Sequence, residues 1–135
     1  MIFELLALSE VLQTVEKTGT EIRFEHAECA KGAAGLYHLN KEIDMLVICP
    51  DNQVNHSDLL DTVRHEAMHV VQACKGGPVL SYDFYLKNSS DATREALTKY
   101  PQDMHTQHAE LEAFTAAEQL NEQQIVNLLN KFCFE

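Results

Sequence analysis

Apolar residues recur at steps of three and four through the first seventeen positions, at Phe3, Leu5, Leu6, Leu8, Val11, Leu12 and Val15. Lys17-Thr18-Gly19 ends the run, so the pattern predicts an N-terminal helix over 2–17. The period then changes. Glu21-Ile22-Arg23-Phe24-Glu25 alternates as a strand does, with Ile22 and Phe24 on one face. Residues 35–39 and 43–48 flank the turn-like Asn40-Lys41-Glu42 and read as a β-hairpin. Its second strand is almost wholly apolar, which places it inside the sheet.

The helical period returns over 57–75. Leu59, Val63, Ala67, Val70 and Cys74 make one apolar stripe, and Thr62, His65, His69 and Gln72 a second stripe roughly opposite. Asn55 and Ser57 are candidate N-caps, with Asp58 near the positive end of the helix dipole. Lys75-Gly76-Gly77-Pro78 sets a cation, a left-handed cap and a breaker in order at the other end. Between 79 and 90 the pattern breaks around Tyr82, Phe84 and Tyr85, a segment that reads as cover for a core edge or as a rim above a site. Asp91 caps a helix through Thr98, stopped by Tyr100-Pro101, and helices follow over about 102–120 and 122–132. The layout is α+β: one domain over 1–135, with an N-terminal helix, a small mostly antiparallel sheet, a long central helix and C-terminal helices.

The central helix carries His65-Glu66-Ala67-Met68-His69. Helical residues four apart are rotated by only about 40°, so both imidazoles leave one face. Two neutral ring nitrogens can then hold one Zn²⁺, and the carboxylate of Glu66 can take a proton from water beside it. A catalytic zinc wants three protein ligands, and the later helix offers a third. There Glu110 shares a mostly apolar stripe with Ala113, Phe114 and Ala117, where a bare carboxylate would need a partner. Glu112 lines up instead with His108, Ala116 and Gln119, a more polar side, and is the alternative ligand. Tyr82, Tyr85, His105 and His108 are candidates for stabilising an oxyanion.

HEAMH, the run Glu110-Leu111-Glu112-Ala113 with Phe114 and Ala116-Ala117, and the continuation His69-Val70-Val71-Gln72 together resemble small zinc metallopeptidases of the gluzincin class, including the ImmA/IrrE-type minimal zincin domains. That resemblance implies a minimal zincin-like fold, with His65, His69 and Glu110 as zinc ligands and Glu66 as general base. It implies hydrolysis of a protein or peptide substrate, with an edge strand pairing to extended chain. The rival reading is a catalytically silent zinc-binding module with a regulatory or interaction role. A di-iron carboxylate bundle would need a second Glu-x-x-His, and the sequence holds none.

Ten basic and twenty-one acidic residues give a net charge of −11, which argues against nucleic acid and anionic membrane as partners and suits a basic peptide better. Cys29, Cys49, Cys74 and Cys133 form no CxxC and no tight spacing, so reduced, mostly buried thiols in a cytoplasmic protein are expected. The apolar N-terminus carries Glu4 and no basic region, unlike a signal peptide, and no stretch is long enough to span a bilayer.

Overall fold

The computed structural model describes residues 2–134, and the side chains of 8–134. Helix α1 (Ile2–Lys17) leads into strand β1 (Glu21–Arg23), a single helical turn α2 (Ala27–Ala30), and strands β2 (Gly35–Leu39) and β3 (Asp44–Ile48). After a 3₁₀ turn at Pro50–Asn52 come α3 (His56–Lys75), α4 (Tyr82–Asn88), α5 (Asp91–Leu97), α6 (Met104–Gln119) and α7 (Glu122–Cys133). The architecture is α+β, mostly helical, with one three-stranded sheet.

The long helices end where local chemistry says they must. Asn55 caps α3 by accepting from the Asp58 amide, and Gly76 closes it in the left-handed region at φ 89°. Ser81, Ser90 and Asp103 cap α4, α5 and α6 in the same way, and Asn121 with Gln124 forms a capping box on α7. The segment without apolar period is therefore helix α4, whose Tyr85 is buried while Phe84 stays exposed.

Sheet order is β1-β3-β2. The expected hairpin is present, with Tyr37 opposite Leu46. The sheet is mixed rather than mostly antiparallel, because the hairpin leaves the far edge of β3 to β1, which pairs with it in parallel. β3 lies inside, with Leu46, Val47 and Ile48 inaccessible, and β2 forms an edge.

One core unites Val11 and Val15 of α1, Leu46 and Ile48 of β3, Val63, Ala67, Met68 and Val70 of α3, Ala113 of α6, and Ile125 and Leu129 of α7. Each of the Val, Leu, Ile and Met side chains among them stabilises the fold by about 1.5–3 kcal/mol. The central helix α3 packs against α1, α6, α7 and the sheet. Its middle is consequently buried nearly all round: Leu60, His65, Glu66, Met68 and Gln72 are buried along with Val63, Ala67 and Val70 of the predicted stripe.

All four cysteines are paired, which corrects the expectation of reduced thiols. Cys29 joins Cys49 with Cα atoms 5.5 Å apart, and Cys74 joins Cys133 at 5.0 Å. Cys74 is exposed at the last turn of α3 rather than buried in its stripe, where it meets the last turn of α7. Closing loops of 20 and 59 residues constrains the unfolded chain by about 3 and 4 kcal/mol. Among the described residues no helix is long and apolar enough to cross a membrane.

Candidate metal centre

Helix α3 presents His65, Glu66 and His69 to a cleft whose other wall is α6, and the two helices are locked in place beside it. Arg64 donates from Nε to the Ala117 carbonyl at 2.9 Å and pairs with Glu122 at 2.6 Å, which ties α3 to the junction of α6 and α7. On the sheet side the Thr62 hydroxyl donates to Gln53 at 3.1 Å, and Gln53 donates in turn to the Ala34 carbonyl at 2.9 Å. Gly35 makes that approach possible. A Cβ there would stand 2.9 Å from the Thr62 methyl and 3.2 Å from Cγ of Glu66, so only glycine lets β2 lie this close to α3.

The cleft encloses about 160 Å³ and is lined by Gly35, Leu36 and Tyr37 of β2, His65, Glu66 and His69 of α3, Tyr100, and Glu110 of α6. Nε2 of His65 lies 3.1 Å from Oε1 of Glu110, and Nε2 of His69 lies 3.1 Å from Oε2. One donor atom from each of the three residues falls within 4.8 Å of the others. Ligand atoms on a tetrahedral ion with bonds of 2.0–2.1 Å stand about 3.4 Å apart, so these three fit a divalent cation of zinc size.

The electrostatics follow from burial and pairing. Burial works to lower His69, but the hydrogen bond and charge of Glu110 outweigh it and push the imidazole up to about 9. Burial works to raise Glu110, and the hydrogen bonds from His65 and His69 overcome it and hold the carboxyl at about 2. Glu66 is raised by burial, with the two histidines opposing and Glu110 adding to the rise. Tyr100 is pushed up to about 12 by burial and by the charges of Glu110 and Glu66.

The structure thus gathers His65, Glu66, His69 and Glu110 at one cleft and leaves the other candidates out. Glu112 is on the far side of α6 and fully buried, where its carboxylate accepts from Gln72 and from the Val79 and Leu80 amides. The supposedly polar side of α6 is buried at Glu112 and Ala116, where α4 and the loop before it cover it. Tyr85 is hydrogen-bonded to Glu112, and His108 contacts the Leu80 carbonyl at 2.8 Å. Tyr82 packs edge-on to His108, and neither Tyr82 nor His105 lines the cleft. The aromatic residues that do line it are Tyr37 and Tyr100. The Tyr37 hydroxyl donates to Asp44 at 2.7 Å, whereas Tyr100 has no hydrogen bond from its hydroxyl among the described residues. Sequence reasoning missed Tyr100 because Tyr-Pro reads as a helix stop, and only the return of α6 carries it to the cleft.

Residues 5–134 match the model of a family described as a domain of unknown function, DUF8637. The chain belongs to that family. No curated protein and no solved structure matches it.

Proposed function

We propose that this DUF8637 domain is a zinc-dependent peptidase, with His65, His69 and Glu110 as ligands. The observation that carries the reading is the convergence of two imidazoles and a carboxylate within 4.8 Å, with the buried Glu66 lining the same cleft. Zinc held there supplies a Lewis acid that activates water and polarises a carbonyl. Two histidines and one carboxylate also serve iron in oxygenases. Glu66 favours hydrolysis, because a carboxylate made more basic by burial has a task there as a proton acceptor.

Glu66 takes the proton from the attacking water and hands it to the departing amine. Tyr100, with its hydroxyl uncommitted and its pKa high, stays protonated and donates to the oxyanion that develops on the scissile carbonyl. The edge strand β2 supports a protein or peptide substrate, since its outer backbone edge is unpaired among the described strands and lines the cleft through Gly35, Leu36 and Tyr37. The two disulfides favour an oxidising compartment over the cytoplasm.

The small cleft of about 160 Å³ favours a second reading, a zinc-binding module without turnover. Incubating zinc-loaded protein with an unfolded protein substrate and counting new amino termini separates the two. The peptidase reading expects cleavage that a chelator stops and that Glu66→Gln abolishes while keeping the metal. Zinc bound tightly with no cleavage by the wild type selects the module.

A further inference from the structure

Behind His69 lies a chain of buried polar groups that the proposed chemistry leaves unused. Nδ1 of His69 is 2.8 Å from Oε1 of Gln72. Nε2 of Gln72 donates to the Ala109 carbonyl and to Oε1 of Glu112, both at 2.9 Å. Oε2 of Glu112 accepts from the Val79 amide at 2.7 Å and the Leu80 amide at 3.2 Å. Glu112 is inaccessible to solvent, and Gln72 is buried.

A fully buried carboxylate costs several kcal/mol unless it is hydrogen-bonded on all sides, so its retention asks for a reason. The direction of the donors supplies one. Gln72 has two acceptors against its nitrogen, and neither can donate, so its amide has only one workable orientation. That orientation turns Oε1 toward His69. An oxygen there accepts, so Nδ1 keeps its proton whatever the charge of His69, and when the ring is neutral, as a metal ligand must be, the lone pair falls on Nε2, on the side of Glu110 and the cleft.

We propose that Gln72 and Glu112 are positioning residues that fix the His69 tautomer and ring orientation for metal binding. The inference rests on the reading of His69 as a ligand. Helix α6 then does two jobs: Glu110 faces the metal, while Ala109 and Glu112 set which nitrogen of His69 is offered to it. The same carboxylate holds the loop between α3 and α4 through Val79 and Leu80, so the loop and the ligand share one anchor.

Two near-isosteric variants test this, Glu112→Gln and Gln72→Met. An amide at 112 must set its NH₂ either against the Gln72 nitrogen or against the Val79 and Leu80 amides. The first arrangement turns Gln72 over and forces Nδ1 of His69 to accept. Methionine at 72 keeps the packing volume and removes all three hydrogen bonds of the Gln72 side chain. Zinc affinity is read by competition with a chromophoric chelator, and the His69 ring protons by ¹⁵N–¹H correlation on zinc-loaded protein. Each variant is expected to lose about 10–100-fold in affinity, and Gln72→Met to lose the slowly exchanging Nδ1 proton. Wild-type affinity in both variants, with an unchanged Nδ1 signal, would overturn the inference and leave the metal site standing. A wild type that binds no zinc would overturn the site and this inference together. Circular dichroism on each variant shows that affinity was read on folded protein.

Discussion

The two sides of α6 differ in a way that neither size nor apolarity would announce. On one side Glu110 faces a cleft of about 160 Å³ that gathers His65, Glu66, His69 and Tyr100. On the other lies a larger, apolar trough of about 440 Å³, lined among others by Met68, Leu80, Phe84, Ala116 and Leu128. Among the described residues that line it, only Tyr85 and Lys131 are titratable. The carboxylate on that side, Glu112, spends its acceptor capacity on protein donors. Glu110 instead meets two imidazole nitrogens at the wall of an opening. Two glutamates two residues apart therefore differ in surroundings: one carboxylate meets imidazoles at an open cleft, and the other is saturated by protein donors.

The largest effect should come from the cleft itself. Glu66→Gln is expected to lower the rate of peptide hydrolysis by about 10²–10⁴-fold while zinc stoichiometry is unchanged, measured by kinetics beside elemental analysis. Next, Glu112→Ala removes the shared acceptor of the Gln72 side chain, the Val79 and Leu80 amides and the Tyr85 hydroxyl, and should cost about 3 kcal/mol in chemical denaturation, with or without zinc. Glu110→Ala should instead remove the rise in Tm that zinc produces. Exchange of those two phenotypes would break the distinction between the two carboxylates.

Tyr100→Phe sharpens the picture within the cleft. Loss of one oxyanion donor should cut kcat by about 10²-fold with little change in KM, whereas Tyr85→Phe should leave kcat alone. The smallest effect concerns pH in chelator-treated protein. His69 lies at about 9 against an ordinary 6.5, so its pairing contributes fully below 6.5 and fades as pH rises to 9. Glu110 lies at about 2 against 4.5, so its contribution is present above 4.5 and fades as pH falls toward 2. Denaturation midpoints should therefore show this pair's support greatest between about 4.5 and 6.5. A flat profile from 6.5 to 9 would mean that Glu110 does not hold His69.

Much of this was legible in the chain because the signals are local. Period and caps placed α3 within a residue of His56–Lys75, and the hairpin within a residue of its strands. The spacing of HEAMH put both imidazoles on one face, and Glu110 does reach them. Its stripe is not the most buried one; Glu112 is, because α4 folds over the other side. That cover, the parallel pairing of β1, the position of Tyr100 and both disulfides depend on which distant segments meet. Cys74 and Cys133 illustrate the limit: 59 residues separate them, and nothing near either one names the other.

The most direct test is the metal content of purified protein after zinc loading and desalting, by elemental analysis, for the wild type beside His65→Ala and Glu110→Ala. The account predicts one zinc per chain, lost in both variants while circular dichroism shows the fold retained. No zinc in the wild type, or one zinc retained without Glu110, would contradict it.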